Sequence, residues 1–195
     1  MKRLFGGWLV GVALVACTQQ QAQAPQPVQP LDTSEQKAPV ADPSQPVASG
    51  NTPTAADIAA VAGLNARFDP SRNPADDLET AMVEAQRGGK RIVLHVGSEG
   101  CEPCAALDGV IAGDADIRRL RDANYVWVKV NASPENDNAG FLAAYPEVTG
   151  QPQLFVLDAR GELLHSQPAD GLDAGRGIDR ARVKAFLEQW APPQS

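Results

Sequence analysis

Two cysteines three positions apart, Cys101 and Cys104, constrain this 195-residue chain more than any other feature. They follow residues 91–96, an apolar run that predicts a strand covered on both faces. They also open a segment that predicts a helix, so the first cysteine would stand at a helix start. A pair in this position can be a redox couple, one half of a metal site, or two small structural residues.

A metal site that includes Cys101 and Cys104 would have too few ligands. A structural zinc site needs about four Cys, His or carboxylate ligands. Besides Cys101 and Cys104, the segment after residue 55 offers His95 and His165 and has no second CxxC motif. We therefore expect no metal and no bound cofactor; the ligand count does not decide between a redox-active disulfide of Cys101 and Cys104 and a structural pair.

Apolar periodicity predicts one domain, residues 56–195, built from helices and strands. Strands are predicted at residues 66–69, 91–96, 125–130, 153–157 and 163–166, and helices at residues 55–62, 73–88, 101–121 with a break at Gly113, 136–145 and 178–190. A helix between two strands predicts parallel pairing, whereas the last two strands are joined too tightly for any but antiparallel pairing. The expected class is α/β, with a central mixed β-sheet flanked by helices.

The N-terminus carries Lys2 and Arg3, an apolar run over residues 4–16, and then Cys17. The run is too short to span a bilayer, and the cations before it are typical of a secretory signal. The motif LVAC, which ends at Cys17, resembles the lipobox of bacterial lipoproteins. This resemblance implies that residues 1–16 are a cleaved signal peptide and that lipidation of Cys17 anchors the chain to a membrane.

Residues 17–55 are predicted to be a disordered tether that begins at the lipidated cysteine. Between residues 18 and 53 there are seven prolines, eight glutamines and few large apolar side chains, so the segment cannot bury enough surface to become ordered. The whole chain has a net charge of −7 and no basic cluster, which argues against nucleic acid as a partner. We expect the lipid to be the only membrane contact.

The region from about residue 66 to residue 190 resembles the thioredoxin fold. It is most similar to the thioredoxin-like domains of exported or membrane-bound thiol:disulfide interchange proteins. Three features carry this resemblance: CEPC at residues 101–104 between a strand and a helix, Gly150-Gln151-Pro152 where the family has its cis-proline, and LFVLDARG at residues 154–161, which matches the family's hairpin.

The cysteine chemistry depends on the helix start. The thiolate is the form that attacks a disulfide, and the free N–H groups and the dipole at a helix N-terminus favour that anion. Cys101 is therefore predicted to be the exposed nucleophile, and Cys104, one turn later, to resolve the mixed disulfide. The resemblance implies that Pro152 is cis, which leaves the backbone of Gln151 free to pair with an extended client segment.

Three residues depart from the usual thioredoxin sequence. Gly100 replaces a tryptophan, which changes the surface that clients meet. Glu102 replaces a glycine, and we expect it to contact clients. Its charge opposes formation of the thiolate and favours a reductase, although the same residue could be a solvated acid at a helix start. His95 stands six residues before Cys101, where thioredoxins place a buried aspartate. It is predicted to relay a proton, with a satisfied core histidine as the alternative.

The combined prediction is a membrane-tethered thiol:disulfide oxidoreductase that acts on exported client proteins, as a reductase rather than an isomerase or oxidase. A transmembrane partner is expected to supply electrons, because the sequence has no nucleotide-binding fingerprint. The alternatives are a disulfide isomerase or oxidase, and a redox-inactive thioredoxin-fold module that binds clients beside Pro152. We expect a monomer on the periplasmic side of a bacterial cell envelope. The outer membrane is favoured over the inner, because Thr18 is not the aspartate typical of inner-membrane retention.

Overall fold

The structure, a computed structural model, describes residues 52–193. The predicted signal peptide, the lipidated Cys17 and the tether as far as residue 51 lie outside the described residues. The helices are α1 (Ala55–Leu64), α2 (Pro74–Gly88), α3 (Glu102–Gly113), α4 (Ala115–Asn124), α5 (Ala139–Leu142) and α6 (Arg180–Gln189), and the strands are β1 (Arg91–Gly97), β2 (Tyr125–Asn131), β3 (Gln153–Leu157) and β4 (Leu163–Pro168).

The four strands form one mixed sheet in the order β2-β1-β3-β4. Strand β1 pairs in parallel with β2, and β3 pairs in antiparallel fashion with both β1 and β4. The predicted mixed sheet and the tight hairpin are thus confirmed. The expectation that a helix between β2 and β3 makes these two strands parallel is wrong, because β3 runs against β1.

The connection from β2 to β3 explains this correction. The end of β2 and the start of β3 lie at the same end of the sheet, because both pair with the end of β1: Gly97 lies opposite Asn131, and Val96 lies opposite Gln153. A parallel β3 would need a helix long enough to return the chain to the other end. The helix predicted at residues 136–145 is only the four-residue α5, because the asparagines before it fold into a loop: Asn138 adopts a left-handed conformation and its side-chain amide donates to the Asn131 carbonyl.

Each face of the sheet is covered by helices. Alternate residues of β1 divide between two buried clusters. On one face, Ile92, Leu94 and Val96 pack with α1 and α2. On the other face, Val93 packs with α3, α4 and α6. His95 and Gly97 follow Val93 in the same alternation, so they lie on the face that α3 covers.

Local signals determine the ends of α2 and α3. Asn73 caps α2, Pro74 occupies its first turn, and Gly89 ends it with a φ of 63°. Helix α3 begins with Cys101 as its N-cap residue and ends before Asp114. Asp114 accepts hydrogen bonds from the first amides of α4, so the break predicted at Gly113 marks the start of a second helix.

The strand predicted at residues 66–69 is wrong. This segment contains no strand, although Phe68 is buried. The Phe68 N–H donates to a carboxylate oxygen of Glu99, 2.7 Å away, instead of to another strand. The apolar side chain that suggested a strand therefore covers the loop before Cys101.

None of the helices within residues 52–193 is long and apolar enough to cross a membrane.

Gly97 and Gly109 give a matched stability test. A Cβ at Gly97 would lie 2.7 Å from the sulfur of Cys104 and 2.7 Å from the Phe68 ring, whereas a Cβ at Gly109 in α3 meets nothing within 4 Å. Gly97→Ala is expected to lower the free energy of unfolding by about 1–3 kcal/mol. Gly109→Ala is expected to raise it by about 0.5–1 kcal/mol, because alanine favours a helix interior. Urea denaturation measures both, and equal effects of the two variants would contradict the packing at Gly97.

Candidate functional site

The two cysteines form a disulfide at the start of α3. Cys101 is partly exposed, whereas Cys104 is fully buried. The Cys104 N–H donates to the Cys101 sulfur at 3.1 Å, so a free amide of the first helical turn already points at the predicted nucleophile. The same donor can stabilise a thiolate on Cys101 after reduction. The pair thus combines one accessible sulfur and one protected sulfur.

Gln151 and Pro152 immediately precede β3, and Gln151 contacts the loop that leads into Cys101. The bond between them is cis, as the resemblance implied, and Pro152 is buried. The Gln151 side chain accepts a hydrogen bond from the Ser98 hydroxyl at 2.8 Å and donates to the Ala132 carbonyl at 3.0 Å. Gln151 therefore joins three loops: the one before Cys101, the one after β2 and the one before β3. Within residues 52–193 its own backbone makes no hydrogen bond to other backbone groups.

His95 is fully buried. Its Nδ1 accepts a hydrogen bond from the Trp127 indole N–H at 3.3 Å, which assigns the ring proton to Nε2. Nε2 has no hydrogen-bond partner among the described residues. Burial lowers the pKa of His95 to about 3, and the charge of Lys129 lowers it as well. The ring is therefore neutral at physiological pH.

A partly buried ion pair lies next to His95. Lys129 extends from β2, opposite His95 in the sheet, and its ammonium contacts a carboxylate oxygen of Asp108 at 2.7 Å. The Lys129 side chain is 10% exposed, whereas that of Asp108 is 36% exposed. The ammonium also lies 4.9 Å from the centre of the Phe68 ring. This pair is not predicted from the sequence, although a lysine in an apolar strand and an aspartate one turn after Cys104 are signals that point to it.

Phe68 and Gly97 complete the buried side of the site. The Phe68 ring lies edge-on to His95, with the ring centres 4.9 Å apart. The position of a Gly97 Cβ is 2.7 Å from both Phe68 and the Cys104 sulfur, so only glycine leaves room for this contact. Cys104, Phe68 and His95 consequently form a continuous layer under the start of α3.

Glu102, the first residue of α3, follows Cys101 in the chain and is exposed. His165 is far from the pair in the sheet, in β4, and stacks on Trp190 with ring centres 4.3 Å apart. In the part of the chain that the structure describes, no three His, Cys, Asp or Glu residues are grouped so that they could hold a metal ion.

His95 makes stability depend on pH. Its pKa is about 3 in the folded chain and about 6.5 when unfolded, so between these values the unfolded chain binds the extra proton. The buried neutral His95 ring therefore leaves the free energy of unfolding unreduced above about pH 6.5. Below that pH the free energy of unfolding falls, down to about pH 3. From pH 7 to pH 5 we expect a loss of about 2 kcal/mol that the variant His95→Gln does not show. Urea denaturation of the disulfide form at both pH values measures this, and an equal loss in both proteins would contradict the buried neutral ring.

The comparisons with known proteins agree with this geometry. Residues 78–170, just under half of the chain, match the family model described as a thioredoxin-like domain. A search of the curated proteins finds no match.

Among solved structures, the disulphide isomerase from Xylella fastidiosa Temecula1 has a TM-score of 0.56 and 20% identity, and the match covers 65% of this chain and 97% of that one. At this identity the likeness concerns the fold. The C-terminal domain of DsbD from Neisseria meningitidis, in the oxidised form, has a TM-score of 0.45 and 16% identity, covering 60% of this chain and 93% of that one. A thioredoxin from Thermus thermophilus has a TM-score of 0.42 and 22% identity, covering 57% and 81%.

The family match, the mixed sheet and the bonded Cys101–Cys104 pair at a helix start agree with one another. The chain thus carries a thioredoxin-like domain, with the bonded cysteine pair at the start of α3.

Proposed function

We propose that this protein is a membrane-tethered oxidoreductase that reduces disulfides in exported proteins. The observation that carries the proposal is the difference between the two sulfurs: Cys101 is accessible at the start of α3, and Cys104 is buried behind it. An accessible first cysteine can be attacked by, or attack, a large client, whereas a buried second cysteine is reached only from within the protein.

The reaction follows from that difference. In the reduced protein, the Cys101 thiolate attacks one sulfur of a client disulfide, a mixed disulfide forms, and the other client sulfur leaves as a thiolate that takes a proton. Cys104 then loses its proton and attacks the Cys101 sulfur, which releases the second client thiol. Two electrons pass from the protein to the client, and the protein is left with the disulfide that the structure shows.

The direction is proposed from Glu102. Its carboxylate stands in the first turn of α3 and disfavours a negative charge on the neighbouring Cys101 sulfur. A less stable thiolate form makes the reduced protein a better electron donor. Isomerase activity is the second candidate, which the similar fold of the Xylella fastidiosa disulphide isomerase suggests. A measured reduction potential below that of the client disulfides would favour the reductase.

Gln151 and Pro152 are proposed to hold the client. The Gln151 backbone groups are free to pair with an extended segment, because its side chain, and not its backbone, fixes the surrounding loops. We also propose that His95 contributes to the proton movements of Cys104. A neutral ring with its proton on Nε2 can only donate a hydrogen bond there, so this contribution would differ from that of an ionised carboxylate.

The location is proposed from the N-terminal sequence. The lipobox-like motif ending at Cys17 supports a lipid anchor, and the Pro/Gln-rich segment supports a tether that lets the domain reach clients at the periplasmic side of the envelope. A redox pair that acts as a reductant in an exported protein needs electrons delivered across the membrane. The proposed partner is therefore a transmembrane dithiol donor.

Substitution of each cysteine tests the chemistry. Incubated with insulin, Cys104→Ser is expected to accumulate a covalent adduct, because Cys101 attacks but nothing resolves the mixed disulfide. Cys101→Ser is expected to form no adduct and to reduce insulin at the uncatalysed rate. Non-reducing electrophoresis and a turbidity assay measure these outcomes. If Cys101→Ser turned over insulin as fast as the unsubstituted protein, the redox-inactive binding module would be the better description.

Cys17 has a separate test in bacterial cells. The full-length chain is expected in the membrane fraction, and Cys17→Ser is expected in the soluble fraction and unlabelled by a fatty-acid probe. Cys101→Ser is the matched control, since it removes a thiol but leaves the anchor in place. Membrane retention of Cys17→Ser with full lipid labelling would show that the anchor lies elsewhere.

A further inference from the structure

A groove with a volume of about 310 Å³ opens beside Cys101. One wall is the loop of residues 98–100, which leads directly into Cys101, and the other is the loop of residues 131–135 after β2. Phe68 and Pro70 add apolar surface between the two walls. We call this feature the Glu99–Glu135 groove, after the carboxylate on each wall.

The walls of the groove are held in place by polar contacts. The Gln151 side chain connects Ser98 of one wall to Ala132 of the other. The Phe68 N–H donates to Glu99 at 2.7 Å and fixes its carboxylate. Asn131 donates to the Ser133 hydroxyl at 3.0 Å. The groove therefore exists before any partner binds, which reduces the entropy that binding must offset.

The groove carries negative charge without a balancing cation. Glu99 and Glu135 are both exposed, and no lysine or arginine is found among the described residues that line the groove. A hydrogen bond from Ser133 lowers the pKa of Glu135, so this carboxylate stays ionised. The nearby Lys129 is already paired with Asp108. A cation entering the groove would thus meet two unpaired carboxylates and aromatic and proline surface.

Gly100 connects the groove to the reactive sulfur. A Cβ at Gly100 would have nothing within 4 Å, so the surface between the groove and Cys101 is open. An extended polypeptide advances about 3.3 Å per residue. A client side chain held in the groove would accordingly belong to a residue close in sequence to the client cysteine that Cys101 attacks.

We propose that the Glu99–Glu135 groove binds a lysine or arginine side chain of the client, located within about two residues of the attacked cysteine. The alkyl part of such a side chain packs against Phe68 and Pro70, and its cationic end lies between the two carboxylates. This inference rests on the proposed function and names the clients of the same site: disulfides with a neighbouring basic residue.

Two peptides of identical composition test the proposal. Each is a homodisulfide with one cysteine and one arginine per chain, and the arginine stands either two residues from the cysteine or at the far end of the peptide. The second-order rate constant for oxidation of the reduced full-length protein is measured by trapping free thiols and mass spectrometry. Because the two peptides have the same net charge, general attraction to an acidic protein affects both rate constants equally. We expect the peptide whose arginine neighbours the cysteine to react about fivefold faster at low salt.

Variants identify the groove as the cause. Glu135→Gln is expected to reduce the fivefold preference to about twofold, and Glu99→Gln to have a similar effect while keeping an acceptor for the Phe68 N–H. Glu162→Gln is the matched control, because it removes one exposed carboxylate from the hairpin at the opposite end of the sheet. Equal rates for the two peptides, or a preference that survives both Glu99→Gln and Glu135→Gln, would overturn the proposal.

A binding measurement separates this proposal from the redox function. Peptides with serine in place of cysteine are titrated against the disulfide form of the full-length protein, with NMR detection of the Gly100 and Glu135 amides. We expect the arginine peptides to shift these signals at concentrations about fivefold lower than a peptide with glutamine in place of arginine. Selective binding without thiol–disulfide exchange would contradict the proposed function but support the groove proposal. Exchange without selective binding would support the proposed function and overturn the groove proposal.

Discussion

The hydrogen bond from the Cys104 amide to the Cys101 sulfur is the contact on which the rest of the site depends. It exists because Cys101 is the N-cap residue of α3, where backbone N–H groups have no partner within the helix. The position of the helix start depends in turn on β1, which ends at Gly97, so that the loop of residues 98–100 lies at the end of the central strand. Strand, loop and helix thus place one sulfur at the surface and the other inside.

The layer behind Cys104 differs from a simple apolar core. Behind Cys104 lie the neutral His95, the Phe68 ring and the Lys129–Asp108 ion pair: the ring contacts both His95 and the Lys129 ammonium. Burying the Lys129 ammonium is costly unless Asp108 compensates it, so this pair is expected to be sensitive to the loss of either member. The exposed side of the site is acidic instead, with Glu99, Glu102 and Glu135 around Cys101. The buried side of the site thus carries the Lys129 cation, whereas the exposed side carries carboxylates.

Local patterns in the sequence predict the framework well. The caps of α2, the helix start at Cys101 and the β3–β4 hairpin depend on residues close together in the chain, so the sequence reveals them directly. The Gln151 contacts, the Lys129–Asp108 pair and the Phe68–Glu99 hydrogen bond join residues 19 to 53 positions apart. Such contacts depend on how elements pack and not on local periodicity. The strand predicted at residues 66–69 fails for the same reason, since Phe68 is buried by a loop contact.

The central claim is that Cys101 is the nucleophile and Cys104 is the resolving cysteine. Its most direct test is the order in which the two thiols react. The reduced full-length protein is treated briefly with substoichiometric iodoacetamide, and the labelled cysteines are identified by mass spectrometry. We predict that Cys101 is labelled at least about tenfold faster than Cys104, because its sulfur is accessible and faces a free helix amide. Equal labelling, or faster labelling of Cys104, would contradict the assignment of nucleophile and resolving cysteine.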